Sequence, residues 1–268
     1  MSVLRGWVLP LLFAAVIAFF LLPLLTIVVI SFTPGAYFRF PIEGFSWRWY
    51  ETVLTDTRWL AGFVASFLLA IFVAVTTSLA SAMAVIALHG KRRTGLRHFL
   101  GIVAGLPLLL PHVSIGIAFL AAAPVLGLAG SYVIIAIAHC VLAIPFAYRP
   151  ILSSFDSLDP SLFNAAAALG ARPGFSFWHV QLPALRPGIV VAAIFTFVLS
   201  FDEITVTMFL VGPGITTLPL RVLAELQESA TPAVAAASTL IILMTIGCLG
   251  LIERISGLTI FADVERSR

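Results

Sequence analysis

Apolar residues fill this chain in long runs, and most of its charged residues fall between the runs rather than within them. A helix crossing a bilayer needs about 20 apolar residues, so the runs can be read as spans. Residues 6–33 form the first charge-free run and residues 59–88 hold the second. The first is too long for a signal-peptide core and lacks a small-x-small cleavage site, so it is expected to persist as a helix. Residues 99–148 contain no Asp, Glu, Lys or Arg. That length accommodates two helices, with LGLAGS at residues 126–131 as the turn between them. A fifth helix follows Arg186-Pro187-Gly188 and ends at the Gly212-Pro213-Gly214 turn, and a sixth fills the last apolar run. The predicted helices lie at about 7–32, 59–88, 99–125, 131–149, 188–210 and 232–253, in one transmembrane domain, 1–268, with a loop at 150–187.

Composition agrees. Of 268 residues 61% are apolar and 10% charged, against about 25% charged in soluble domains. The net charge of +3 does not point to nucleic acid, because the basic residues mark loop ends instead of gathering on a soluble domain. Six spans place both termini on one side, and the side richer in Lys and Arg is the inner one. With the N-terminus inside, the inner segments hold Arg5, Lys91, Arg92, Arg93, Arg97, Arg149, Arg172, Arg186, Arg254, Arg266 and Arg268, against Arg39, Arg48, Arg58 and Arg221 outside: eleven to four. This predicts N-in, C-in. Trp47, Trp49 and Tyr50 in the first outer loop read as interfacial aromatics lying on the membrane surface. Cys140 and Cys248 sit in apolar runs and imply no disulfide. No G-x-x-x-x-G-K-[ST] phosphate loop occurs, so ATP hydrolysis is not expected on this chain.

The longest inner loop contains a soluble-looking segment. Asp159-Pro160 is a helix start, a capping carboxylate followed by proline at the first helical position. Residues 161–169 are rich in alanine, which loses least on becoming helical. Gly170 can end the helix in a left-handed conformation, and Arg172-Pro173-Gly174 forbids continuation. Phe175, Phe177 and Trp178 follow as apolar anchors. A short helix of small side chains flanked by aromatics suits close docking by a partner.

Asn164-Ala165-Ala166, three residues, Gly170, nine residues, then Val180-Gln181-Leu182-Pro183 resembles the EAA loop of ABC importer permeases, E-A-A-x3-G-x9-I-x-L-P. In that family the loop forms a cytoplasmic coupling helix between the fourth and fifth spans that docks on the ATPase subunit. The resemblance assigns an ATPase-coupling role to Asn164, Ala165, Ala166, Gly170, Val180, Leu182 and Pro183. Asn164 departs from the usual glutamate, which puts a charge-dependent contact there in question.

Ser200-Phe201-Asp202-Glu203 falls inside the predicted fifth helix. At 1.5 Å per residue from Gly188, Asp202 lies about 20 Å deep in an apolar core about 30 Å thick. Ionised groups at that depth face a water-filled path or a partner. On a helix, neighbouring residues point about 100° apart, so one acid faces the path and the other a neighbour. Asp202 and Glu203 are therefore candidates to line a path for cations. The alternative is a buried structural network with His112, which lies at similar depth; for His112 helix packing outweighs substrate contact, and His139 is weaker still. Residues 200–222, SFDEITVTMFLVGPGITTLPLRV, and the outer-loop GFSWRWYE are similar to the spermidine/putrescine class of permeases. Relatives carrying opines, other amine-bearing metabolites or ferric ion share these segments.

The resemblance implies an all-α, six-helix permease of a bacterial inner membrane. It has no catalytic residue, metal site or bound cofactor of its own; ATP and Mg belong to two partner ATPase subunits. A second related permease subunit and a soluble substrate-binding protein complete the assembly, which works by alternating access. Arg221, Glu225 and Glu228, at helical spacing outside, are either a contact for the binding protein or a solvated face. A stand-alone secondary transporter or channel using the two acids as a relay is the reading from another class.

Overall fold

The computed structural model describes residues 2–87, 94–159, 165–166 and 168–256. The KRR cluster at 91–93 and Asn164 lie outside the described residues. Among the described residues every regular element is helical. The longer elements are α1 (Ser2–Ile30), α2 (Arg48–Thr55), α3 (Thr57–Ala87), α4 (Thr94–Gly105), α5 (His112–Val125) and α6 (Tyr132–Asp156). After the loop come α7 (Arg186–Phe201), the single turn α8 (Thr207–Leu210), α9 (Leu218–Glu228) and α10 (Ala233–Ser256). Among the described residues four helices are long and apolar enough to cross a membrane, and up to six spans result if each of two bent pairs counts as one.

The bent pairs correct two predicted helices. The span expected over 99–125 breaks between α4 and α5 with a bend of 100°. Pro107 and Pro111 cause it: each removes a backbone donor, and each disfavours helical conformation in the residue before it. His112 thus heads α5 instead of lying within a longer helix. The helix expected over 188–210 stops at Phe201 and resumes only at Thr207. Between them the run Ile204-Thr205-Val206 is β-branched and poorly helical. At the other end, α6 continues through Arg149 and Pro150 to Asp156, well beyond the expected end at 149. Helices in lipid tolerate such prolines because neighbouring elements and side chains take up the freed backbone groups.

The chain divides into two compact units, Met1–Leu60 with Arg221–Met244, and Ala61–Leu220 with Thr245–Arg268. In the first, α1 from Pro10 to Ile30 is an apolar helix left unburied by its own chain, a surface suited to lipid or another subunit. The aromatic loop that follows folds inward. Tyr50 Oη is 2.7 Å from Ser31 Oγ, and Trp49 Nε1 donates to the Gly35 carbonyl at 3.2 Å. Phe32 stacks on Phe45 at 4.4 Å between ring centres. Trp49 and Tyr50 are buried and only Trp47 stays exposed, so two of the three expected interfacial aromatics are core residues. Each has a polar handle satisfied inside the unit, which makes burial affordable for an amphipathic ring.

The polar side of this unit is a charge cluster on α9. Arg221 pairs with Glu225 one turn on, and both are buried; the guanidinium also lies 5.2 Å from the centre of the Trp59 ring. Glu225 Oε1 accepts from Ser229 Oγ at 2.8 Å and Thr231 Oγ1 at 2.6 Å. Glu228 is the outermost of the three, 62% exposed. A solvated face is therefore excluded for Arg221 and Glu225. Burial pushes the Glu225 carboxyl up, but the hydroxyls of Thr231 and Ser229 and the Arg221 charge outweigh it and hold it below the ordinary 4.5. A depressed native value means stabilisation present above 4.5 and lost as pH falls through the native value below it. Melting curves should therefore show wild type above Glu225→Gln at pH 7, with the gap closing below pH 4.5; a gap independent of pH would remove the charge from the explanation.

In the second unit two clusters fill the interior. Leu69, Val73, Ile115, Ile134, Ile135 and Val206 pack in one, and Val85, Ala147, Tyr148, Ile151, Leu185 and Ala192 in the other. The α6–α7 contact carries small residues, which let helix backbones approach in a bilayer. A Cβ placed on Gly188 would lie 2.5 Å from Ser154 Cβ and 3.0 Å from the Pro150 carbonyl oxygen. Two glycine turns also meet: a Cβ on Gly212 would lie 2.7 Å from the Gly130 Cα. Arg97 at the start of α4 binds Asp156 at the end of α6, with Nη2 2.6 Å from Oδ1 and 2.5 Å from Oδ2. The opposite end is tied by Ser66 Oγ, which accepts from the Leu218 amide at 2.8 Å.

Candidate substrate path and coupling segment

The break after α7 separates the two acids. Asp202 closes α7, its amide bonded to the Val198 carbonyl at 3.2 Å, and its side chain is exposed while Glu203 is buried. Glu203 Oε1 accepts from the Val206 amide at 2.9 Å, so the side chain supplies the bond that the interrupted helix cannot. Its other oxygen, Oε2, is 3.1 Å from His112 Nδ1 at the head of α5. The divergence expected of two helical neighbours is real, but it arises from the break. Glu203 is held by Val206 and His112, and Asp202 is exposed.

Asp202 and Glu203 share a cavity of about 320 Å³ with Phe146, Phe195, Val198 and Leu199. No cation pairs with Asp202 among the described residues. A carboxylate set among two aromatic rings and aliphatic side chains can take an ammonium group at the acid and the rings, and a methylene chain along the walls.

One residue of this site carries more than its sequence signal suggests. His139, on α6, is fully buried. Its Nδ1 lies 2.9 Å from Ser200 Oγ, before the break, and its Nε2 2.8 Å from Thr207 Oγ1, after it. Thr207 Oγ1 donates its one hydrogen to the Glu203 carbonyl at 2.8 Å. It must therefore accept from His139, which places a hydrogen on Nε2 and leaves Nδ1 to pair with the Ser200 hydroxyl. His139 spans the break and holds its two sides in register. A lone apolar-run histidine gives no hint of this; the presence of hydroxyl residues on either side of the acids is the only available clue.

The coupling segment is described from Ala165, without Asn164. The Leu169 amide bonds to the Ala165 carbonyl at 3.0 Å and the Ala171 amide to the Ala166 carbonyl at 3.1 Å. Gly170 adopts φ +79°, the left-handed helix stop that its position calls for. Pro173–Ser176, a π-turn at Phe177–Gln181 and Leu182–Ala184 then lead into α7 with a bend of 68°. Val180 and Leu182 are half-buried and Pro183 exposed. Leu182 and Phe177 pack on the cluster around Leu185 and Ile151, while Leu169, Phe175 and Trp178 are exposed at 88%, 56% and 63%. The segment thus has an apolar outer face and an inner face keyed to α6 and α7.

The chain is similar to known proteins along most of its length. The spermidine/putrescine transport system permease protein of Haemophilus influenzae is 26% identical over 90% of this chain and 93% of its own length. The putrescine transport system permease protein of Escherichia coli K12 is 30% identical over 86% of this chain and 83% of its own. The crystal structure of a bacterial ABC transporter involved in the import of the acidic polysaccharide alginate contains a chain with the same fold, at a TM-score of 0.70 and 19% identity, covering 94% of this chain and 96% of that one. Residues 77–256 match the family described as binding-protein-dependent transport system inner membrane component. With the end of α3 and all of α4 through α10 inside that match, the chain belongs to this family, as an ABC importer permease of the inner membrane resembling the polyamine class.

Proposed function

We propose that the chain is one membrane half of an importer for polyamines or related organic cations in a bacterial inner membrane. It crosses the bilayer six times with both termini inside, each bent pair counting as one span, and pairs with a second, related permease. Two ATPase subunits carrying ATP and Mg dock on the segment from Asn164 to Pro183, and a soluble substrate-binding protein delivers cargo from outside. Closure of the ATPase pair is passed through Leu182 into α7, which moves the break and turns Asp202 from one side of the membrane to the other.

The observation that carries the cargo assignment is Asp202, an exposed carboxylate without a cation partner among the described residues, in a cavity otherwise walled largely by Phe146, Phe195, Val198 and Leu199. Importers of this fold also take acidic polysaccharide, so the fold itself does not select charge. The test is uptake of labelled putrescine and spermidine by the complete transporter in proteoliposomes. Asp202→Asn is expected to lower uptake on the order of tenfold, the worth of one charge-assisted contact of about 1.4 kcal/mol. Uptake at the wild-type rate would refute the cation path, and a preference for an anionic cargo would replace it.

A further inference from the structure

At the end of the second unit opposite Ser66 and Leu218, α4 and α6 leave a cavity of about 630 Å³. Arg97, His98 and Arg149 line it together with Gly101, Gly105 and Leu109. The two glycines form an open floor: a Cβ on either would meet nothing within 4 Å. Arg149 is exposed and has no ion-pair or hydrogen-bond partner among the described residues. Arg97 directs only Nη2 at Asp156, leaving Nε and Nη1 as donors.

We propose that this cavity binds an anionic phospholipid, its headgroup phosphate held by Arg149, Arg97 and His98 and one acyl chain lying over Gly101 and Gly105. The combination decides the ligand class. A guanidinium without a counter-charge at the rim of an apolar, glycine-floored groove between two membrane helices matches a molecule that is anionic at one end and aliphatic at the other. A free phosphate would satisfy the rim and leave the floor uncovered; a zwitterionic lipid would cover the floor and bring its own cation to Arg149. Arg is suited to the task because its planar fork meets phosphate oxygens in pairs. The cavity shares none of the lining of the proposed cation path.

Native mass spectrometry of the full chain, released from detergent after incubation with phosphatidylglycerol, phosphatidylcholine or inorganic phosphate, tests the proposal. Wild type is expected to retain one phosphatidylglycerol and no phosphatidylcholine. Arg149→Gln should weaken retention about tenfold, as for loss of one charge-assisted contact. Gly101→Leu should weaken it as much by filling the floor while leaving every charge in place. Equal retention of the two lipids, unchanged retention in Arg149→Gln, or displacement of the lipid by millimolar phosphate would each overturn it. Arg149 is exposed, so its variant tests the site even if the Gly101 variant folds poorly.

Discussion

Gly188→Val is expected to prevent accumulation of the folded chain, and Gly188→Ala to destabilise it by about 1–3 kcal/mol, the cost of overpacking a close contact. The first atom of any side chain there meets Ser154 Cβ at 2.5 Å and the Pro150 oxygen at 3.0 Å. Neither can rotate away, because one is fixed to the α6 backbone and the other belongs to it. The two helices must separate, which opens the cluster around Ile151, Leu185 and Ala192. Thermal melting of the detergent-solubilised protein measures the effect. Ser154→Gly, added to Gly188→Ala, removes the nearer obstacle and should restore part of the loss. If the double variant melts no higher than the single, the contact is not the cause.

His139→Ala is expected to lower stability by about 2–4 kcal/mol, combining a buried cavity with two lost hydrogen bonds. It should also reduce cation uptake more than Asp202→Asn does, since both sides of the break lose their common partner. His139→Gln keeps a donor for Thr207 and should recover part of the melting temperature. Unchanged melting and uptake in His139→Ala would mean that the break holds its shape without the imidazole.

Much of this was legible in the sequence because lipid simplifies the code. Apolar length alone marks spans, and Gly170 marks a helix stop, since only glycine enters the left-handed region without cost. The paired turns at Gly130 and Gly212 were visible as turns, but not as neighbours. The breaks at Pro107–Pro111 and Asp202–Val206 leave no such local mark. A membrane helix can carry prolines and still continue, as α1 does through Pro10 and Pro23 and α6 through Pro145 and Pro150. Whether it bends depends on what neighbouring elements offer the freed backbone groups. The inward fold of Trp49 and Tyr50 was hidden for a similar reason: an amphipathic ring suits a membrane interface and a core with a hydrogen-bond acceptor equally well.

The sequence by itself determined an all-helical membrane chain and a helix-stopped, Ala-rich segment of the importer type, because hydropathy, glycine conformation and motif spacing act locally along the chain. Only the tertiary structure shows different partners for Asp202 and Glu203. Their chemistry is alike, they are adjacent and both line the cavity; what separates them is that Val206 and His112 come within hydrogen-bonding reach of the Glu203 carboxylate, while Asp202 has no cation partner among the described residues. It likewise made His139 the residue that joins the two sides of the break. That role exists only where α6 brings an imidazole between Ser200 and Thr207, a coincidence of three positions that no local pattern encodes.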